Sequence, residues 1–195
     1  MQVTDERKRL KILSVAAKQF AAQPFHKVLL SDVAAAAAVG KGTLYTYFKS
    51  KEDLYFSVVY SGLSRLVTML RERMEEDPHG PVEDLTMVIR EFIQFACQNP
   101  HLFEVMRTVP GWKAFDRSKW AAKRRELTGL IETIIRRGIA LGEFVDSNPD
   151  LTSQYIPGLV RSALLDGAEN LDPEVLTDHI QRFVKGALTG SRKDD

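Results

Sequence analysis

Leu30–Lys51, LSDVAAAAAVGKGTLYTYFKSK, is the stretch on which the reading of this chain turns. Val33, Ala34 and Ala37 recur at helical spacing, Ala38-Val39-Gly40 reads as a tight turn, and Leu44 and Phe48 share one face of a second short helix. This is the layout of a helix-turn-helix. Ala34 is the small residue where two helices cross closely, and Val33, Ala37, Val39 and Leu44 hold the crossing angle. Ser50-x-x-Asp53 resembles a capping box and predicts a further helix from Lys51.

With Leu44 and Phe48 inward, about 100° per residue turns Gly42, Thr43 and Thr46 outward, with Lys41, Tyr45 and Tyr47 on the flanks. That face is small and polar, as an element entering a major groove must be. Gly42 permits close backbone approach, and Thr43 and Thr46 bring a hydroxyl and a methyl each to base edges. Lys41, the tyrosine hydroxyls and Lys51, in the first turn of the next helix, suit phosphate oxygens.

The segment DVAAAAAVGKGTLYTYFKSKEDL resembles the DNA-binding signature of the TetR family of bacterial transcription regulators. Lys41-Gly42-Thr43-Leu44 match the start of that family's recognition helix, and Tyr45, Tyr47, Phe48, Ser50, Lys51, Glu52 and Leu54 match the pattern that follows it. The rest of the chain agrees in length and helical layout only. Two positions depart from the family pattern. Leu29 and Leu30 stand where a capping, phosphate-touching Thr is usual, which leaves Ser31 to cap slightly later. Ala38-Val39-Gly40 replaces Gly-Val-Ser, so a residue with a Cβ occupies a position that often needs positive φ.

Composition agrees with this reading. The chain has 195 residues, 44% apolar and 27% charged, within the range of soluble globular proteins. Its net charge of +1 conceals an asymmetry: residues 1–51 carry nine Lys and Arg against three acids, and the remainder is net acidic. A basic N-terminal quarter on an acidic body suits a nucleic-acid-binding head. No apolar run approaches the roughly 20 residues of a membrane span, and MQVTDERKRLKI lacks a signal-peptide core, so the expectation is a cytoplasmic protein without membrane partners. Cys97 is the only cysteine, which excludes an intrachain disulfide and favours a buried, inert thiol over a redox switch.

Along the chain every periodic segment is helical, and the predicted fold is all-α: a three-helix DNA-binding head over residues 1–50 and a larger helical body over 51–195. Residues 5–22 form an amphipathic helix with Leu10, Leu13, Val15, Ala16, Ala17 and Phe20 on its apolar side. A fourth helix from Lys51 to about Met74 links head and body, and the turn cluster 77–81 ends it. Beyond it come a helix carrying Leu85 to Ala96, a short one over 101–108, and a long one over 118–141. Two more follow, 149–168 (which Pro157 should kink or interrupt) and 173–189. The last carries Leu176, Ile180, Phe183, Val184, Ala187 and Leu188 as its apolar set, behind an Asp172-Pro173 start signal.

The family resemblance implies a homodimer through the last two helices, where Ala163, Gly167, Gly186 and Ala187 permit close approach. It also implies a cavity for a small-molecule effector, for which Phe92, Phe95, Phe103, Met106, Trp112, Trp120 and Tyr155 are candidates, although such residues are more often plain core than pocket. No metal or cofactor site is expected: the four histidines are scattered, and Pro78 breaks the helix that Glu76-x-x-His79 would need. No Gly-rich phosphate loop or nucleophile elbow is present, and catalysis is not expected. The expected function is therefore a ligand-responsive regulator that binds a palindromic operator in double-stranded DNA, a repressor in most of the family. The alternatives are an activator, or a small-molecule-binding helical protein whose operator binding is altered or lost.

Overall fold

Ile12, Leu13, Ala16 and Phe20 are buried along one side of the first helix, a stripe at helical spacing that calls for a partner surface. The computed structural model describes residues 2–76, 79–99, 117–165 and 172–190. Within them lie eight α-helices: α1 (Gln2–Ala22), α2 (Leu30–Ala36), α3 (Lys41–Tyr47), α4 (Lys51–Glu76), α5 (Pro81–Cys97), α6 (Arg117–Ala140), α7 (Pro149–Leu165) and α8 (Pro173–Thr189). One turn of 3-10 helix, Phe25–Lys27, joins α1 to α2, and the described residues contain no strand. The expected short helix over 101–108 lies outside them.

The chain divides into two compact units, and the division falls inside α4, after Gly62. The first unit thus runs past residue 50, where the sequence pattern divides the chain. Leu54, Tyr55, Phe56, Val58 and Val59 of α4 are all buried. The Tyr55 ring meets Phe20 edge-on at 4.8 Å and Phe25 at 5.4 Å, and Phe20 stacks on Phe25 at 5.7 Å. This aromatic cluster joins α1, the 3-10 turn and the start of α4. Leu10, expected on the buried side of α1, is half exposed, because the stripe is centred on Ile12, Ala16 and Phe20.

In the second unit α5 packs mainly against α8 and α7. Leu85, Val88, Ile89 and Phe92 of α5, Ile156 and Val160 of α7, and Leu176, Ile180, Val184 and Leu188 of α8 are buried. Polar ties fix the register: Gln181 Nε2 donates to the Thr86 carbonyl at 2.9 Å, and the Val145 amide to the Leu188 carbonyl at 2.7 Å. The Asp84 carboxylate, fully buried, pairs with Arg137, whose guanidinium also donates to the His79 carbonyl at 2.9 Å. A buried charge needs such a partner. α7 continues through Pro157, so of the expected kink or interruption the interruption does not occur. Burial of Ile156 and Val160 on that helix offsets the about 3 kcal/mol that an interior proline costs. α8 starts as predicted, with the Asp172 side chain accepting from the Glu174 amide at 2.9 Å. Phe183, in the predicted apolar set of this helix, is 59% exposed.

Candidate nucleic-acid interface

The corner between α2 and α3 is built as the sequence predicts. Val33, Ala34, Ala37 and Leu44 are buried, and Phe48 closes the corner from below. Ala38 adopts φ 54°, the only positive-φ residue other than glycine among the described residues. Its amide donates to the Ala35 carbonyl and the Val39 amide to the Ala34 carbonyl, both at 2.9 Å. These two bonds satisfy carbonyls at the end of α2 and require the left-handed conformation between them. Ser31 does not cap α2 as expected. Leu29 is the N-cap and provides no side-chain acceptor, while Ser31 Oγ, already inside the first turn, donates to Asp32 Oδ1 at 3.2 Å.

α3 turns Leu44 inward and presents Lys41, Gly42, Tyr45 and Thr46 to solvent, with Thr43 and Tyr47 half-buried on its edges. A Cβ at Gly42 would meet nothing within 4 Å, so the fold itself leaves this position free. Thr46 Oγ1 donates to the Gly42 carbonyl at 3.1 Å. Its methyl and the hydroxyl lone pairs remain for a partner. Tyr47 hydrogen-bonds through its hydroxyl to Asp5 Oδ1 of α1. That bond first, then burial and the nearby carboxylate charge, raises the Tyr47 phenol above its ordinary value, so it keeps its proton at neutral pH.

The start of α4 is capped reciprocally: the Asp53 amide donates to Ser50 Oγ at 3.1 Å, and the Lys49 amide to Asp53 Oδ2 at 2.8 Å. Lys51 departs from the outward placement expected of a phosphate ligand. Its ammonium donates to the carbonyls of His26 and Val28, each at 3.2 Å, and lies 4.7 Å from the centre of the Phe25 ring. Two carbonyls and an aromatic face at the α1–α2 connection satisfy the charge locally. Arg9, one turn along α1 from Asp5, sits 5.7 Å over the Phe48 ring. These contacts of Asp5, Arg9 and Phe25 were not legible in the sequence, because the partners, Tyr47, Phe48 and Lys51, are distant in it.

Among the effector candidates, Trp120 and Phe92 are buried, Phe95 is half-buried, and Phe92 stacks with Phe95 at 6.5 Å. Trp120 Nε1 is buried without a hydrogen-bond partner among the described residues. Tyr155 is 57% exposed on α7, a surface position rather than a pocket wall. Phe103, Met106 and Trp112 lie outside the described residues. A cleft between α5 and α8, lined by Leu85, Ile89, Phe144 and Val184, encloses about 10 Å³, room for one water. The Cys97 thiol is pushed up by burial. Among the described residues no cluster of His, Cys, Asp and Glu could hold a metal ion, and no helix is long and apolar enough to cross a membrane.

A tightly packed two-helix corner that holds a narrow polar face outward defines a helix-turn-helix DNA-binding protein. Residues 12–58 match the family described as bacterial regulatory proteins, tetR family, and residues 78–164 match the tetracyclin repressor-like C-terminal domain. The fatty acid metabolism regulator protein of Bacillus subtilis (strain 168) is 36% identical over 158 residues, covering 78% of this chain and 79% of that protein. The HTH-type transcriptional regulator YfiR of the same organism is 23% identical over 199 residues, 96% of this chain and 95% of that one. Two solved structures share the fold. The transcriptional regulator FadR from Bacillus subtilis in complex with stearoyl-CoA has TM-score 0.71 at 20% identity, covering 91% of this chain and 98% of that one. A TetR/AcrR-family regulator from Thermobifida fusca YX-ER1 has TM-score 0.73 at 22% identity, covering 96% and 100%. The chain belongs to the tetR family of bacterial regulatory proteins. It is a helix-turn-helix transcriptional regulator.

Proposed function

We propose that the chain acts in the cytoplasm as a homodimeric repressor, without catalytic activity, that binds a palindromic operator and is released by an acyl-CoA thioester. The outward face of α3, with Gly42, Tyr45 and Thr46 exposed over buried Leu44, is the observation that carries this reading. In it Gly42, Thr43 and Thr46 meet base edges, while Lys41, Tyr45 and Tyr47 hold phosphates. DNA contact resides in residues 1–50, and effector binding and dimerisation in 51–195.

Dimerisation is supported by the surface of the last two helices. Leu151 and Tyr155 lie one turn apart on α7, and Val175 and Phe183 lie along α8, all at least 40% exposed. Gly158 and Gly186 on the same two helices face open space. Apolar side chains beside small residues suit a second copy of the same surface. The effector class rests on the two relatives whose names specify fatty acid metabolism and stearoyl-CoA. The Phe92–Phe95 pair and the orphan indole donor of Trp120 are suitable lining for an acyl chain and one polar group. An effector releases DNA only as far as it prefers the non-binding arrangement.

Selection of bound duplexes from a random pool tests the DNA reading. The expected product is a palindrome whose half-sites lie about 34–36 Å apart or a multiple of it. Loss of the shifted band with stearoyl-CoA, but not with coenzyme A, is the expected effector result. A selected site without two-fold symmetry would overturn the homodimer, and indifference to stearoyl-CoA would overturn the effector class.

A further inference from the structure

Asp5 and Tyr47 are separated by 42 positions and come from different helices, yet their side chains are hydrogen-bonded. One turn further along α1, the Arg9 guanidinium covers the ring of Phe48. The start of α1 is therefore clipped to the end of α3 by two adjacent contacts.

A phenol has one proton to donate. Phosphate oxygens in a DNA backbone only accept. While the Tyr47 hydroxyl donates to Asp5, it has nothing to offer a phosphate, and the carboxylate places a negative charge beside the phosphate's path. We propose that Asp5 is a restraining residue of the DNA interface, holding the Tyr47 hydroxyl away from the phosphate backbone until a phosphate oxygen replaces the carboxylate as its acceptor. The inference rests on the reading of α3 as the DNA-facing helix. The raised Tyr47 phenol agrees with a phenol that keeps its proton and donates it to Asp5 in the free protein. Exchange of one charged acceptor for another of similar strength returns little net affinity. The Tyr47 contact is accordingly masked in the wild-type chain, which keeps non-specific binding weak and release fast.

The test is a double-mutant cycle on the full chain. Binding to a fixed mixed-sequence duplex is measured at low salt, since phosphate contacts are read on any duplex. Removal of the carboxylate charge tightens binding in every background, whereas the restraint acts only through the Tyr47 hydroxyl. Asp5→Ala is expected to tighten binding about three-fold more with Tyr47 present than in the Tyr47→Phe background, a coupling that double-mutant cycles resolve. Asp5→Asn, a weaker acceptor of the same length, falls between, and replaces Asp5→Ala in the cycle if that variant frays α1. In the free protein, the Tyr47 phenol followed by NMR should titrate at lower pH in Asp5→Ala than in wild type. Equal gains in both backgrounds, or an unmoved phenol, overturn the restraint while leaving the DNA-binding head intact. Failure of the wild-type chain to bind any duplex overturns the head reading itself, and the restraint with it.

Discussion

Thr46 Oγ1 donates to the Gly42 carbonyl, 3.1 Å away and one turn earlier on α3. The hydroxyl proton is thereby engaged inside the helix, and what Thr46 shows a base pair is a methyl group and an accepting oxygen. Such a side chain suits a thymine methyl, or the amino group of adenine or cytosine, and not the acceptors of guanine. Thr46→Val is expected to keep the methyl contact and lose the accepting oxygen, at a cost of about 1 kcal/mol at a single base pair. Competition among operator duplexes altered one base pair at a time checks this. Uniform weakening across all of them would assign Thr46 to the backbone instead.

Gly42 separates the needs of the fold from those of DNA. A Cβ there meets nothing within 4 Å, and alanine is the better helix former, so Gly42→Ala should stabilise the free protein by about 0.5–1 kcal/mol. The same methyl stands where the backbone would approach the groove, so operator affinity should fall. Thermal unfolding and a binding isotherm on one variant supply both signs. A stabilised variant with unchanged affinity would remove Gly42 from the interface.

Ala38 holds φ 54° at the turn between α2 and α3. The Cβ of an L-residue costs about 1–2 kcal/mol in that conformation. Ala38→Gly is therefore expected to raise stability by about 1 kcal/mol, part of the relief being offset by the greater freedom of glycine in the unfolded chain. Urea unfolding measures it. DNA affinity should be unchanged, since Ala38 makes the turn and not the reading face.

Lys51 ties the α1–α2 connection through the His26 and Val28 carbonyls. Lys51→Ala should destabilise the free protein by about 1 kcal/mol, the scale of a partly exposed charged hydrogen bond. The slope of log affinity against log salt should change by much less than the roughly one unit that loss of a phosphate contact produces. A full unit lost from the slope, with stability intact, would return Lys51 to the phosphate backbone.

Phe183 is 59% exposed on α8, as Val175 is at 55%. Phe183→Glu places a charge on the proposed two-fold surface and should convert dimer to monomer without loss of helix content. Sedimentation and circular dichroism read the two quantities separately. Operator affinity should fall by more than about ten-fold, because each head alone covers too short a site.

Short-range order was legible in the sequence. The Ser50–Asp53 cap, the Asp172 cap, the left-handed turn at Ala38 and the buried faces of α2 and α3 each follow from residue types within a few positions of one another. Local propensity and helical period decide such features before the chain folds. The same is true of the family signature, a single contiguous run. What the pattern misjudged depends on distant partners. Tyr155 reads as a pocket or core aromatic and Phe183 as part of the apolar set of its helix, and both are on the surface, since hydrophobicity alone does not say which of two apolar faces the rest of the chain will cover.

The sequence by itself determined the helices among the described residues, the Ser50 and Asp172 caps and which face of α3 carries hydroxyls, because these obey spacings of three or four residues. Only the tertiary structure decided what Lys51, Tyr47 and Asp5 do, because hydrogen bonds reaching across 23, 25 and 42 positions depend on where α1, α3 and α4 come to rest. A lysine beside a helix start looks outward-facing on paper. Here two carbonyls and a phenyl ring, brought near by the packing of Phe20, Phe25 and Tyr55, turn it inward.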